Sequence, residues 1–279
     1  MKVGVHVRAT ATSVDLPTLG RMLEAAGIES IFLPEHTHLP VATVSDHPGG
    51  MDLMEVAGRN IDALVGLAVV AAVTTRLRVA TGVLLIPQHD PILLAKQVAT
   101  LDLLSGGRVI LGVGAGWNGE EMANHGVVPE TRWAVMGEMV EAIKLLWTRD
   151  RAGYSGRHVR FTESHMEPKP VQRPHPPVLV GGEGPNALKR VVRYGDGWMP
   201  NYEADTLDRV VELQRLAAEA GRGPIPVTVF SAPRDRAVVE RLAEAGIERS
   251  VFDLPCQDMA TAERELAALL ALTEGIRSP

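Results

Sequence analysis

The stretch from Leu101 to Glu121, LDLLSGGRVILGVGAGWNGEE, decides the predicted fold of this chain. Residues 109–113 (VILGV) are apolar throughout, as in a strand of a parallel sheet that is covered on both faces. Alternating glycines then lead to Asn118, a residue type suited to cap the helix that follows. Glycines at the carboxyl end of a strand let a ligand approach the backbone, and a helix start offers free N–H groups. The stretch therefore predicts a buried strand, a ligand-binding loop and a helix start in succession.

The same strand-to-helix alternation extends over the whole chain. Eight strands are predicted, at residues 3–7, 30–33, 77–85, 109–113, 178–180, 197–199, 227–230 and 250–253. Eight long helices are predicted, at residues 16–26, 60–73, 90–104, 130–147, 186–194, 206–220, 235–245 and 259–272. In 279 residues this pattern predicts an α/β fold, a single-domain (β/α)8 TIM barrel over residues 1–279. A doubly wound open sheet with the same alternation is the alternative.

Composition limits the function classes. The chain is 46 % apolar and 22 % charged, as in ordinary water-soluble proteins, and its formal net charge of −6 argues against nucleic acid or an anionic membrane as a partner. Cys256 is the single cysteine, so an intrachain disulfide and a cysteine-rich metal site are excluded, and a cytoplasmic location is expected. The start MKVGVHV predicts a strand rather than a signal peptide, and no apolar run reaches the roughly 18 residues of a membrane span.

Candidate functional residues follow the predicted strands, because a barrel binds its ligand over the carboxyl ends of its strands. Glu35 and His36 directly follow the second strand, and a histidine there can bind substrate or transfer a proton. The nine histidines show no metal-binding spacing, so no metal site is expected. Arg8, Trp117 and Asn201 are further strand-end residues.

Two glycine-rich segments predict where an anionic ligand binds. GVGAG matches only part of a dinucleotide fingerprint, because Trp117 stands where the third glycine belongs. GGEGP, from Gly181 to Pro185, has the form of a phosphate-binding turn beside a late strand, although an ordinary strand-to-helix turn has the same form. The loops at 39–58 and 150–177 are candidates for substrate contact, and the tryptophans and methionines of the 130–147 helix are expected in the core.

Four segments together resemble a known family, the luciferase-like monooxygenases, and within it the coenzyme F420-dependent oxidoreductases. They are IFLPEHTHLP (31–40), the segment from Thr81 to Glu121, PKPVQRPHPPVLVGGEG (168–184) and YGDGWMP (194–200). The resemblance extends over nearly the whole chain. Its most specific part, LSGGR followed by a strand and GxGxGW, is common to members that use flavin mononucleotide (FMN) and members that use F420.

The resemblance implies a barrel with an insertion after the fourth β/α unit and a cofactor ring at the carboxyl mouth. It implies that Glu35 and His36 are the catalytic pair, with His36 near the reactive ring as a proton donor. It also implies a cis peptide bond between Gly82 and Val83, in the third strand behind the ring. The remaining implied cofactor contacts are Gly114, Ala115, Gly116 and Asn118 on the ribityl and phosphate side, and Gly181, Gly182 and Glu183 at the phosphate and tail.

The expected function is that of an F420-dependent oxidoreductase that transfers a hydride between the deazaflavin and a small organic substrate, as a homodimer. An FMN-dependent monooxygenase is the first alternative, and a non-catalytic barrel that binds a flavin or a phosphorylated metabolite is the second. Trp117 stands where sugar-phosphate-oxidising members have a carboxylate, which argues against a sugar-phosphate substrate.

Overall fold

The computed structural model describes residues 1–45 and 57–277. Its strands are β1 (Lys2–His6), β2 (Ser30–Leu33), β3 (Arg78–Thr81), β4 (Leu84–Leu85), β5 (Val109–Gly114), β6 (Arg151–Ser155), β7 (Arg160–His165), β8 (Val178–Gly181), β9 (Gly197–Met199), β10 (Thr228–Val229) and β11 (Arg249–Asp253). Its α-helices are α1 (Leu16–Ala25), α2 (Ala63–Val73), α3 (Pro91–Ser105), α4 (Gly119–Asn124), α5 (Arg132–Thr148), α6 (Ala187–Tyr194), α7 (Thr206–Glu219), α8 (Arg236–Glu244) and α9 (Met259–Leu272).

The strands form a nearly closed parallel barrel in the order β10-β11-β1-β2-β3-β5-β8-β9. The last strand, β11, pairs with the first over five residues, from Lys2–Arg249 to His6–Asp253. Single parallel bridges, Trp198–Val227 and Asn201–Phe230, join the two ends of the sheet. The predicted TIM barrel is confirmed, and the open-sheet alternative is wrong because the first and last strands pair directly.

Most helices begin at a residue whose side chain caps the first turn. The side chains of Asp15, Asp90 and Asn118 accept hydrogen bonds from backbone N–H groups of helices α1, α3 and α4, as their sequence positions predicted. Asp235 and Asp258 do the same for α8 and α9. Within the described ranges, no helix is both long and apolar enough to cross a membrane.

The insertion lies outside the barrel sheet. Strands β6 and β7 form an antiparallel hairpin, so the predicted excursion at 150–177 is confirmed and contains a hairpin. Helix α5 holds the hairpin turn, because the carboxylate of Glu138 accepts backbone hydrogen bonds from Arg157, His158 and Val159 at 2.7–2.9 Å. On the other side of the hairpin the Tyr154 hydroxyl donates to Glu141 at 2.7 Å. These contacts fix the insertion to the helix that starts beside the mouth of the barrel.

The predicted third strand, 77–85, consists of two pieces. Strand β3 pairs with β2 and β5, then the backbone makes a cis bond between Gly82 and Val83, and β4 continues the pairing with β5. The cis bond that the family resemblance implied is therefore present. It places the Val83 side chain at the mouth of the barrel, among the residues of the central cavity.

A buried ion pair closes the opposite, amino-terminal end of the barrel. The Arg249 side chain, 2 % exposed, donates from Nε and Nη2 to both carboxylate oxygens of Glu29 at 2.7 Å. Its Nη1 donates to the Thr228 hydroxyl at 3.0 Å. The hydrogen bonds and the charge of Arg249 hold the pKa of Glu29 below its usual value, although burial alone would raise it. The Arg249 side chain therefore links β11, β10 and the residue before β2 at this end of the barrel.

Glu29→Ala should destabilise the fold strongly. The substitution leaves the Arg249 charge buried without its carboxylate, which costs about 3 kcal/mol in the free energy of unfolding. The matched control is Glu248→Ala, which breaks a half-exposed pair with Lys2 at the same end of the barrel and should cost less than about 1 kcal/mol. Urea denaturation of both variants measures the difference, and equal losses would contradict the importance of the buried pair.

Candidate active site

The carboxyl ends of the strands surround a cavity of about 540 Å³. Ten of the predicted site residues line it: Glu35, His36, Gly82, Val83, Gly114, Ala115, Gly116, Gly181, Gly182 and Glu183. The strand-end residues Arg8, Trp117 and Asn201 line it as well. Asn118 does not; its side chain caps α4 and donates to the Thr43 hydroxyl at 3.0 Å. Of the proposed substrate loop at 39–58, residues 46–56 lie outside the described residues.

The glycines of the cavity wall make room for neighbouring side chains. A Cβ on Gly114 would lie 2.5 Å from Cγ2 of Val83, and a Cβ on Gly82 would lie 2.6 Å from Cζ of Phe230. A Cβ on Gly112, two residues earlier in β5, would lie 2.6 Å from Cε of Met199. Because real Cβ atoms do not approach so closely, glycine is required at these positions before any ligand is considered. The wall that results combines exposed backbone at the glycines with the apolar side chains of Val83, Met199 and Phe230.

His36 makes hydrogen bonds through both ring nitrogens. Its Nδ1 lies 2.7 Å from a carboxylate oxygen of Glu121, and its Nε2 lies 3.0 Å from the indole nitrogen of Trp117. Because an indole N–H can only donate, Nε2 accepts and the ring proton is on Nδ1, where it is donated to Glu121. His36 is therefore held as the neutral Nδ1–H tautomer. A proton-donor role, as the resemblance implied, would require the contact with Trp117 to open.

Glu121 is a site residue that the sequence analysis did not identify. Its side chain is fully buried, and besides His36 it accepts a hydrogen bond from the backbone N–H of Thr37 at 3.0 Å. Burial alone would raise its pKa, but the hydrogen bonds from His36 and from the Thr37 N–H lower it. The spacing Asn118-x-x-Glu121 is a capping-box signal, but this glutamate reaches the loop after β2 instead of its own N-cap.

Glu35 positions the third strand. One of its carboxylate oxygens accepts the backbone N–H of Leu85 at 2.7 Å, and both lie 3.0 Å from Nε2 of His89. The carboxylate is nearly buried and so is committed to these contacts. We therefore interpret Glu35 as a residue that fixes the segment after the cis bond, and its catalytic role remains a prediction.

The GGEG turn presents its amide groups to the cavity. The carbonyl of Gly182 accepts from the indole of Trp198 at 3.0 Å, and those of Glu183 and Gly184 accept from the guanidinium of Arg209 on α7. Among the described residues, the N–H groups of residues 182–184 have no hydrogen-bond acceptor. Gly182 has φ +106°, a conformation that favours glycine. The Glu183 carboxylate is turned to the Asn201 amide at 3.1 Å, and burial raises its pKa.

Two arginines lie beside this turn without a carboxylate partner in the described parts of the chain. The guanidinium carbon of Arg190 lies 3.8 Å above the ring of Trp133, and that of Arg132 lies 5.5 Å from the same ring. Arg132 Nε is buried and has no hydrogen-bond partner. Burial lowers the pKa of Arg190, and the charge of Arg132 lowers it further, although Tyr194 opposes this. Two uncompensated cations and three free amides make this end of the cavity an anion site.

The first turn of α5 corrects one prediction. The 130–147 helix was expected to place its tryptophans and methionines in the core, and Met136, Met139 and Trp147 are indeed buried there. Trp133 instead lines the cavity together with Arg132. Helical spacing alone did not distinguish the two environments, because the helix faces the barrel along most of its length and the mouth only at its start. Within the described ranges, no group of three or more His, Cys, Asp or Glu residues could hold a metal ion.

Glu35→Gln should weaken the fold in a pH-dependent way. Burial lowers the pKa of His89, but the hydrogen bond and charge of Glu35 outweigh it and raise the pKa above 6.5. A raised histidine pKa contributes stability that is complete below the unfolded value of 6.5 and is lost as the pH rises through the folded value. The stability difference between wild type and Glu35→Gln should therefore be larger at pH 6 than at pH 9. Urea denaturation at both pH values measures it, and a pH-independent difference would contradict the pairing.

Comparison with known proteins supports the barrel fold and gives the family. The sequence profile of the luciferase-like monooxygenase family matches residues 2–277. An uncharacterized protein of Mycobacterium tuberculosis is 41 % identical over 280 residues, which are 97 % of this chain and 99 % of that one. In structure, the coenzyme F420-dependent tetrahydromethanopterin reductase of Methanopyrus kandleri matches with a TM-score of 0.73 at 17 % identity, over 99 % of this chain and 98 % of that chain.

Two relatives with assigned activities match over shorter spans and use different cofactors. An FMNH2-dependent dimethylsulfone monooxygenase of Pseudomonas putida is 35 % identical over 174 residues, 59 % of this chain and 47 % of that protein. An F420-dependent glucose-6-phosphate dehydrogenase of Kineococcus radiotolerans is 32 % identical over 179 residues, 63 % of this chain and 49 % of that protein. The match of the family profile to nearly the whole chain identifies this protein as a member of the luciferase-like monooxygenase family.

Proposed function

We propose that this protein is a coenzyme F420-dependent oxidoreductase that transfers a hydride between the deazaflavin and a small organic substrate. The observation that carries the proposal is the combination of a glycine-lined mouth with an anion site at one end. Arg132 lines that end, Arg190 lies behind it over the ring of Trp133, and the N–H groups of residues 182–184 there have no acceptor among the described residues. A flat ring with a phosphate-bearing side chain matches both parts of the cavity.

The ring would be held by backbone and apolar side chains. Val83 projects into the cavity from the cis step, and the glycines at 114 and 181 lie beside it. Phe230 and Met199 line the same cavity, and Met199 pairs with Gly181 on the neighbouring strand. A wall of this kind binds a ligand mainly by burying its apolar surface, so it suits the tricyclic ring of a deazaflavin or flavin.

The anion site distinguishes F420 from FMN by what lies beyond the phosphate. FMN ends in a phosphate monoester, whereas F420 continues through a phosphodiester into a longer anionic tail. Here the residues next to the turn, Gly184 to Asn186, are exposed, and a Cβ on Gly184 would meet nothing within 4 Å. A ligand chain that continues past the phosphate therefore has an open path to solvent, which supports F420.

When bound, the cofactor supplies the hydride chemistry, and the chain supplies position and electrostatics. Glu35 fixes the segment that carries Val83, and Glu121 and Trp117 fix the orientation and tautomer of His36. Arg132 and Arg190 balance the phosphate charge at the end of the cavity. The loops around the mouth, with the Trp117 and Trp133 rings, limit the access of water to the substrate space.

The proposal includes a homodimer formed through the face of α2. Val65, Ala68, Val69 and Ala72 are exposed at helical spacing, with Val65 66 % exposed. On the neighbouring helix α3, Leu93 and Leu104 are exposed too. A continuous apolar face of this kind is typical of an interface between protein chains.

Replacing Arg190 should weaken cofactor binding. Arg190→Gln removes one of the two cations of the anion site, and a hydrogen bond to a charged group contributes about 1.5–3 kcal/mol, so Kd for F420 should rise about 10- to 100-fold. Arg193→Gln, on the same helix but paired with Glu141 at the surface, is the matched control and should leave Kd unchanged. Titrations followed by absorbance at about 420 nm for F420 and about 450 nm for FMN measure Kd for each cofactor.

The outcome of these titrations separates the candidate functions. Binding of F420 and not FMN supports the proposal. Tight binding of FMN without F420 would favour the flavin-dependent monooxygenase, and binding of neither would favour a barrel for another phosphorylated ligand.

A charge in the α2 face should separate the subunits. Wild-type protein should have the mass of a dimer in light scattering, and Val69→Glu the mass of a monomer, because a buried charge at an interface is costly. Val211→Glu introduces the same charge at an exposed valine of α7 and should remain dimeric. A monomeric wild type would overturn this part of the proposal.

A further inference from the structure

A second histidine, His6, lines the central cavity, and unlike His36 it has a hydrogen-bond partner on only one ring nitrogen. His6, the last residue of β1, has its Nδ1 2.7 Å from Oδ1 of Asp253, the last residue of β11. Its Nε2 has no hydrogen-bond partner in the described part of the chain. The His6 side chain is only 4 % exposed, so this nitrogen has lost its water without gaining a partner. Buried polar atoms are rarely left in this state, and one that lines a cavity indicates a missing ligand group.

The pair with Asp253 determines which ring nitrogen is free to react. A carboxylate oxygen accepts the Nδ1–H of His6, and Nη1 of Arg8 donates to the same oxygen at 3.1 Å. Burial alone would raise the pKa of Asp253, but the hydrogen bond from His6 and the charge and hydrogen bond of Arg8 outweigh it. Asp253 is therefore an anion that keeps the proton on Nδ1, and Nε2 presents a lone pair.

Burial favours the neutral form of His6 at neutral pH. Burial lowers the pKa of His6 below 6.5, the hydrogen bond to Asp253 partly opposes this, and the charge of Arg8 lowers the pKa further. The charged groups that face the ring are Asp253 and Arg8, on the two strand ends that pair there. A neutral imidazole with an oriented lone pair is a proton acceptor.

The position of His6 is next to the wall assigned to the cofactor ring. The His6 and Phe230 ring centroids are 4.8 Å apart, and Phe230 packs directly over Gly82 of the cis step. His6 and Gly82 thus both lie against the Phe230 ring. A substrate that reaches the cofactor ring over Phe230 would meet Nε2 of His6 at the same time.

We propose that His6, oriented by Asp253, accepts the hydroxyl proton of a primary or secondary alcohol that the enzyme oxidises. The proposal rests on the proposed function, which supplies oxidised F420 as the hydride acceptor. The alcohol carbon loses its hydrogen with the bonding pair as a hydride to the deazaflavin, the O–H proton moves to Nε2 of His6, and the C–O bond becomes a carbonyl. The resulting imidazolium is stabilised by the Asp253 carboxylate and then returns the proton to solvent.

The first test uses the protein without cofactor. Histidine side-chain ¹⁵N NMR distinguishes protonated from unprotonated ring nitrogens, and the spectrum of His6→Gln identifies the His6 signals. At pH 7 wild-type His6 should show a protonated Nδ1 and an unprotonated Nε2. Asp253→Asn should change this pattern. A protonated Nε2 at pH 7 would overturn the proposal.

The second test measures F420 reduction with 2-propanol, 1-butanol, cyclohexanol and benzyl alcohol as probes. At least one should be oxidised, and His6→Gln should lower kcat by about 100-fold or more, as expected for loss of a general base. The Kd for F420 should change far less than kcat, because the Arg132, Arg190 and GGEG anion site is unaltered in this variant. Wild-type kcat/KM should fall as the pH decreases below 6.5, and this decrease should be absent in His6→Gln.

The control is His165→Gln. Like His6, His165 is paired with an aspartate: its Nδ1 lies 3.4 Å from Asp150, on the exposed hairpin outside the cavity. Its replacement should change neither kcat nor the pH dependence of kcat/KM. A protein that binds F420 but oxidises none of the four alcohols, or a His6→Gln variant with undiminished kcat, would overturn the proton-acceptor role alone. A protein that binds no F420 would overturn the proposed function and this role with it.

Discussion

The buried carboxylate of Glu121 is the constraint on which the arrangement of the mouth depends. It lies in the first turn of α4, after the fourth barrel strand, yet its oxygens accept hydrogen bonds from His36 and Thr37, after the second. A fully buried charge is tolerated only when hydrogen bonds satisfy it, so the two loops cannot separate without a large cost. The start of α4 is itself fixed by the Asn118 cap, which makes the carboxylate a rigid reference point for the histidine.

The two residues after β2 extend this constraint in opposite directions. His36 turns toward the loop after β5, and Glu35 turns toward the backbone of Leu85 in the divided third strand. One dipeptide thus connects three consecutive strands of the barrel at their carboxyl ends. The glycines at 82 and 114 complete the arrangement. The Phe230 side chain packs where a Cβ on Gly82 would be, and the Val83 side chain packs where a Cβ on Gly114 would be. The geometry of the cavity is therefore determined by ordinary packing and hydrogen bonding before a cofactor binds.

The sequence predicted the barrel well because its signals are local. Apolar strand runs, aspartate caps and glycine turns occur within a few residues of each other, and the strands that they predict are those of the structure. Features that depend on barrel closure could not be predicted in this way. His6 and Asp253 are 247 residues apart, and nothing near either residue indicates the other. The same holds for the first turns of two helices. Whether Trp133 faces the core or the cavity depends on the position of α5 in the folded barrel, and the contact of Glu121 with His36 depends on the position of α4.

The division of the cavity wall between glycine and side chains has a consequence for how the enzyme could change over evolution. The glycine side comes from one continuous part of the chain, β3 to β8, whereas His6 comes from β1, and Met199 and Phe230 come from the chain after β8. A substitution on the latter side can alter the shape and polarity met by a substrate while the backbone surface for the cofactor stays the same. Under the proposed function, the cofactor surface and the substrate surface can therefore change independently, and new substrate specificities can arise from substitutions outside β3 to β8.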